Sequence, residues 1–351
     1  MTLPTPAVAE PAIDGAPAGG DRRVDGPSFL RLPRAQWATL RANTPLLLGE
    51  AELERLRGIN EPMSVEEVGD VLLPLSRLIN LYVTAARRLL QVTDTFLGRP
   101  SVAPPFVVAI AGSVAAGKST VARVLRAVLA RWPAHPRVEL VTTDGFLHPN
   151  AVLEARGLMA RKGFPESYDA GRLLRFLSAV KAGEPEVEAP VYSHLVYDVV
   201  PHDRVVVRRP DILIVEGINV LLPGRADLAV SADGRPRMVV SDYFDFSIYV
   251  DADEEALRRW YVERFLTLRD TAFQRPESYF HRYAALTEAE AVTMAERIWR
   301  EINLVNLKQN IEGTRERADV VLRKGPRHAV EEVRLRRAVI APTRRGRRMA
   351  K

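Results

Sequence analysis

Residues 112–120 read GSVAAGKST, and Gly112-Ser113-Val114-Ala115-Ala116-Gly117-Lys118-Ser119 fills every position of G-x-x-x-x-G-K-[ST]. No other feature limits the fold as strongly. The pattern works only between a strand and a helix. Its glycines let the backbone curl so that successive N–H groups point at a phosphate, and the helix aims its positive N-terminal end at the same charge. Both flanks are present: FVVAIAG (106–112) is a short apolar strand, and STVARVLRAVLARW (119–132) has helical periodicity. In such a loop the lysine bridges the β- and γ-phosphates of ATP, and the Ser119 hydroxyl ligates Mg²⁺. Thr120 completes the segment. The chain carries 44 arginines but six lysines, at 118, 162, 181, 308, 324 and 351, so a lysine is kept here in a sequence that otherwise uses arginine. Lysine is the compact point charge that the loop accepts, and a planar guanidinium does not fit.

The rest of the chain extends the pattern. VELVTT (138–143), DILIVEG (211–217), FSIYVD (246–251) and DVVLRK (319–324) read as further strands, the last as the final one. Short apolar strands alternating with helical stretches predict a parallel sheet covered on both faces. EEALRRWYVERFLTLR (254–269) reads as a helix, as does a run from a capping box at Thr287–Glu290 to about Ile311. A second possible box, Ser64–Glu67, opens the amphipathic run to Val92, with Pro74 as an expected kink. The expected fold is therefore α/β, of the phosphate-loop NTPase type. It has a mostly parallel sheet, a helical N-terminal part at 26–100 and long C-terminal helices. One domain would span 26–342, between a disordered tail at 1–25 and a basic tail at 343–351.

Composition narrows the setting. No run of eighteen apolar residues occurs, so no membrane span is expected. The start lacks the basic and apolar regions of a secretory signal, and there is no cysteine, which fits a cytoplasmic protein. Removing the five basic residues of the tail from the formal charge of +6 leaves +1 for the other 342 residues. The body therefore carries no nucleic-acid stripe.

A phosphate loop alone does not name a reaction. No D-x-x-G occurs anywhere, and Asn306-Leu-Lys-Gln-Asn310 is not N-K-x-D, so a GTPase switch is a poor reading. Instead the second strand runs into Thr142-Thr143-Asp144-Gly145-Phe146. Residues past the carboxyl end of a parallel strand face the ligand, where a carboxylate can accept the proton of an attacking hydroxyl. A turn is the plainer role for an Asp-Gly pair. Asp211-Ile-Leu-Ile-Val-Glu216 ends in an acid too, a Walker B-like element for Mg²⁺, or else a helix cap. Lys118 and Ser119, Asp144 and Glu216 together describe phosphoryl transfer to a small hydroxyl compound.

The blocks GSVAAGKST, TTDGFLHPN, RKGFPESYD, YSHLVYDVV, PDILIVEGINVLL, DFSIYVDA, RWYVERFLTL, PESYFHRYA, EINLVNLKQNI and TRERADVVL, in this order, resemble bacterial type I pantothenate kinase over about residues 28–340. The first two also occur in related kinases of uridine and phosphoribulose. The resemblance implies a homodimer that phosphorylates pantothenate with Mg-ATP at the start of coenzyme A synthesis and is inhibited by coenzyme A. It implies that Gly112–Thr120 binds the ATP phosphates, that Asp144 is the base, and that Arg264 neutralises the transferring phosphoryl. Tyr192, His194, Tyr197, Tyr261 and Asn303 would bond pantothenate. Asn60 and His328 would flank adenine. Phe265, Phe273, Phe280 and Tyr283 would line an apolar pocket over the pantetheine region. Read from the residues alone, Tyr261 and Phe265 are ordinary core, His194 is structural and Arg264 is a surface helix charge. Two positions depart from the family: His148 stands where an aromatic is expected, and Leu268 where some members have phenylalanine. A uridine- or phosphoribulose-type kinase is the nearest alternative. A non-catalytic nucleotide-binding regulator with a nucleic-acid-binding tail is the more distant one, and it has no need of a base.

Overall fold

In the computed structural model the described residues are 29–98, 102–223 and 238–337. The expected tails at 1–25 and 343–351 lie outside them, and so do residues 231–237 of SADGRPRMVVSD (231–242), a stretch that reads as a surface loop before FSIYVD. The strands are β1 (Phe29–Pro33), β2 (Phe106–Gly112), β3 (Val138–Thr142), β4 (Val187–Ser193), β5 (Asp198–Val207), β6 (Ile212–Glu216), β7 (Phe246–Asp251), β8 (Val320–Lys324) and β9 (Val330–Arg336). Seven of them form one sheet in the order β1-β9-β8-β7-β2-β6-β3, and β4 and β5 form a separate hairpin. From β8 to β3 every pairing is parallel, and β9 is antiparallel to both of its neighbours. This is the expected phosphate-loop α/β fold. Every residue of β2, β6 and β7 is buried, as central strands covered on both faces require.

Two expectations about this sheet were incomplete. The stretch 26–100 is not helical throughout, because Phe29–Pro33 pairs with β9 at the sheet edge. Likewise Val320–Lys324 is not the last strand, because β9 turns back along it. The first pairing joins segments some 300 residues apart and has no local signature, whereas β9 follows β8 directly as a hairpin whose charged second strand lacks an apolar run. The β4–β5 hairpin also went unread.

The helix Lys118–Leu129 packs on β2, β3 and β6, and the long helix Val65–Leu97 packs on that helix. The long helix would suffice to cross a membrane by length and composition alone. However, 56% of its most apolar window is buried inside the protein, as in a core helix. It runs on through Pro74, because a π-helical turn at Val68–Leu72 takes up the strain one step earlier. Its expected capping box is only half formed. Ser64 Oγ accepts from Glu67 N at 3.0 Å, but the Glu67 carboxylate turns inward and accepts the Val330 N–H at 3.0 Å. Burial raises its pKa. The Thr287–Glu290 box is complete.

Glu67 thus ties the long helix to β9, whereas Glu290 caps an exposed helix end. Glu67→Ala should lower the unfolding free energy in urea by about 1–3 kcal/mol, because it strands a buried N–H. Glu290→Ala should cost clearly less, and equal losses would contradict this assignment.

Candidate active site

Strand register sets the site. Glu216 pairs with Ile110 on one side and with Thr142 on the other, so the carboxyl ends of β2, β6 and β3 lie side by side. The strand order puts Glu216 between the phosphate loop and Asp144. The loop itself depends on its glycines. Gly112 has φ +139°, and a Cβ there would stand 2.3 Å from the Val250 carbonyl oxygen. Gly117 has φ +86° and immediately precedes the helix Lys118–Leu129. Ala115 also takes a left-handed conformation, at φ +63°. Ser113 and Ala116 are buried, and Val114 is partly exposed.

Lys118 is buried beneath this curl. Its ammonium donates to the Ser113 carbonyl at 2.8 Å and lies 3.9 Å from Glu216 Oε1. Burial lowers the Lys118 pKa and raises that of Glu216, and their mutual attraction offsets part of each shift. Ser119 Oγ donates to Glu216 Oε2 at 3.1 Å, so a hydroxyl and a carboxylate converge beside the loop. Magnesium commonly takes one or two such protein oxygens and fills its remaining positions with water and phosphate, and these residues fit it. The neighbouring hydroxyls of Ser113 and Thr143 are buried without a hydrogen-bond partner.

Asp144 sits in a short 3₁₀ turn just past β3. The Tyr168 hydroxyl is 3.5 Å from one carboxylate oxygen, and His194 Nε2 is 4.0 Å from the other. A cleft joins Gly58–Glu61 to Ala115, Gly117–Thr120, Arg123, His194, Trp260, Arg264 and His328. Arg264 thus reaches it from the helix Glu254–Asp270, close enough to lower the Lys118 pKa further. On the far side of His194 the aromatic residues run in contact. Tyr192 meets His194 and Tyr197, Tyr197 meets Phe280 at 4.7 Å, and Phe280 meets Phe273 and Tyr283. Phe265 joins them through Phe273. Tyr261 is half-buried against Trp299 and beside Asn303, and desolvation pushes its pKa up to about 12. The Asn303 amide nitrogen is buried without a well-formed hydrogen bond.

Three of the expected residues have other partners as well. The Thr120 hydroxyl accepts the Gly58 N–H at 3.0 Å, and Asn60 Oδ1 accepts the Thr267 hydroxyl at 3.0 Å. His328, at φ +65°, stacks on Trp260 with ring centroids 3.9 Å apart. Of the two departures, His148 faces Arg156 at 3.2 Å, and Leu268 packs against the Phe265–Phe273 cluster.

Sequence reading passed over several groups that the fold brings here. Lys162 is buried, lies 3.9 Å above the Tyr197 ring, and donates to Asn150 Oδ1 at 2.6 Å and to the Tyr197 carbonyl. Burial pulls its pKa down to about 8. The side-chain amides of Asn219 and Asn306 both donate to the Gly163 carbonyl, at 3.2 and 2.9 Å, which fixes the turn carrying Lys162. Arg123, Glu61 and Lys324 were missed too. One signal was available: Lys162 and Lys324 are two of only six lysines in the chain, and both prove to be buried, as Lys118 is.

A phosphate loop with two acids on adjoining strand ends and a polar aromatic basin beyond them defines a phosphate-loop kinase of small hydroxyl compounds. Residues 107–273 match the phosphoribulokinase/uridine kinase family. A pantothenate kinase from Parvibaculum lavamentivorans is 56% identical over 323 residues, covering 92% of this chain and 98% of the relative. One from Brevibacillus brevis is 58% identical over 310 residues, covering 88% and 96%. Among solved structures, D-glycerate 3-kinase from Cryptococcus neoformans aligns at 13% identity with a TM-score of 0.49, covering 73% of this chain and 97% of that one. The chain belongs to the pantothenate kinase family.

Proposed function

We propose that this chain transfers the γ-phosphoryl group of ATP to the terminal hydroxyl of pantothenate, giving 4′-phosphopantothenate and ADP. One observation carries the reading: Asp144 stands between the phosphate loop and the wall of Tyr192, His194 and Tyr197. The amide, carboxylate and hydroxyls of pantothenate suit the neutral donors and acceptors of Tyr192, His194, Tyr197, Tyr261 and Asn303.

In this reading the backbone of Gly112–Thr120 holds the ATP phosphates, with Asn60 and His328 at the adenine. Asp144 accepts the hydroxyl proton as the oxygen attacks. Lys118 and Arg264 spread the charge that develops on the transferring group. Ser119 and Glu216 would hold Mg²⁺, which supplies charge neutralisation across the β- and γ-phosphates. The reaction draws on ATP, which supports a cytoplasmic setting. Coenzyme A competes with ATP and reaches the apolar cluster of Phe265, Phe273, Phe280 and Tyr283. The active form is a homodimer. Supporting this, Leu81, Ala85, Leu89, Val92 and Phe96 form one exposed stripe along the long helix, with Phe96 88% exposed.

Asp144→Ala should lower kcat by ~10²–10⁴-fold while leaving the KM for ATP within a few-fold. Lys118→Arg should be nearly inactive. Unchanged turnover in either variant, measured by ADP release with a panel of hydroxyl acceptors that includes uridine, would overturn its assignment. Leu268→Phe should tighten inhibition by coenzyme A about fivefold, as one more ring in an apolar wall contributes about 1 kcal/mol. An unaltered inhibition curve would remove the apolar cluster from the inhibitor site. The pair Leu89→Glu and Phe96→Glu should turn a dimer into a monomer in light scattering, and a dimer that persists would mean another interface.

A further inference from the structure

The strand β8 ends in a lysine that the proposed reaction does not use. Lys324 is 1% exposed at its side chain, and its ammonium donates to Glu61 Oε2 at 2.9 Å. Glu61 is 9% exposed and comes from the opposite end of the chain. The His328 Nδ1 lies 3.7 Å from the other Glu61 oxygen. Desolvation alone would raise the Glu61 pKa, but His328 and Lys324 hold it below the usual carboxylate value. The carboxylate is therefore ionised.

Its position is the unusual part. A Cβ built on Gly117 would stand 2.5 Å from both Glu61 oxygens and 2.5 Å from Lys324 Nζ. Glu61 thus lies against the last glycine of the phosphate loop, at the positive end of the helix Lys118–Leu129. Its charge is felt at Lys118 and Arg123. A negative group here opposes the binding of an anion. Yet Glu61 belongs to the segment Gly58–Glu61 that lines the cleft, tied down by Gly58 N to Thr120 and by Thr267 to Asn60 Oδ1.

We propose that Lys324 is a positioning residue for the nucleotide that acts through Glu61. Its buried ammonium cancels the carboxylate at the lip of the phosphate loop, so the Gly58–Glu61 segment lines the nucleotide site without repelling its phosphates. The proposal rests on ATP binding at this loop. It differs from a simple brace in sign. A brace loses ATP affinity whichever partner is removed. A counter-charge loses affinity only when the lysine goes, and gains it when the carboxylate goes, since an unpaired cation then faces the phosphates.

The test uses the full-length enzyme with Lys324→Met, Glu61→Gln and the double variant. It reads KM for ATP and for pantothenate, ADP binding by calorimetry, and thermal unfolding. Lys324→Met should weaken ATP and ADP about tenfold or more, since 1.4 kcal/mol is tenfold, with pantothenate KM moving far less. Glu61→Gln should tighten both nucleotides, and the double variant should return toward wild type. If Glu61→Gln weakens nucleotide binding, or the double variant is no better than Lys324→Met, the proposal is wrong. Should Lys324→Met fail to fold, Glu61→Gln and the neutral double pair still decide by the sign of their ADP shift. Wild-type enzyme that binds ADP but does not phosphorylate pantothenate would count against the proposed reaction alone, because the ADP shifts read the charge pair independently.

Discussion

The buried ammonium of Lys118 is the interaction on which the site is organised. A charge taken out of water needs partners, and here they are the Ser113 carbonyl and the Glu216 carboxylate. The first closes the phosphate loop on itself. The second joins the loop to the end of β6, which lies between β2 and β3 and so sets the spacing to Asp144. Ser119 shares the same carboxylate. Burial pushes lysine and glutamate alike toward their neutral forms, so both gain from a ligand that brings phosphate and a cation together.

Two other lysines follow the same rule at greater distance. Lys162 is held by Asn150 and the Tyr197 carbonyl, and it fixes a turn whose Tyr197 takes a left-handed φ of +54°. Lys324 is held by Glu61 on the opposite side of the loop. In a chain that places arginine almost everywhere, these buried lysines stand where a single compact charge must fit among packed groups. The scarcity of lysine was visible in the sequence, but only Lys118 lay within a motif that gave it meaning.

The legibility of the rest was uneven for physical reasons. The strands β2, β6 and β7 were readable because a strand buried on both faces is a short apolar run, and β3 and β8 because each keeps enough apolar residues to stand out. β1 and β9 were not, because both carry charges along their length and β1 gains its place only by pairing with β9 some 300 residues away. The Thr287–Glu290 box read correctly because capping is local. Ser64–Glu67 read only half correctly, because Glu67 is claimed by a backbone N–H 263 residues away. At the site, Asp144 and Glu216 were legible as strand ends. Tyr168, Lys162, Glu61 and Lys324 were not, since each acquires its neighbour from a distant segment.

By itself the sequence determined the phosphate loop, the parallel sheet that must carry it, and the two acids at neighbouring strand ends. These follow from local periodicity, from glycine's access to left-handed backbone, and from the rule that strand ends face the ligand. Tertiary structure alone decided which strand lies between the loop and Asp144, which aromatic residues meet beyond His194, and which charges are paired in the dark. Those depend on contacts between residues far apart in the chain, and a buried charge has no signature until the group that neutralises it is in place.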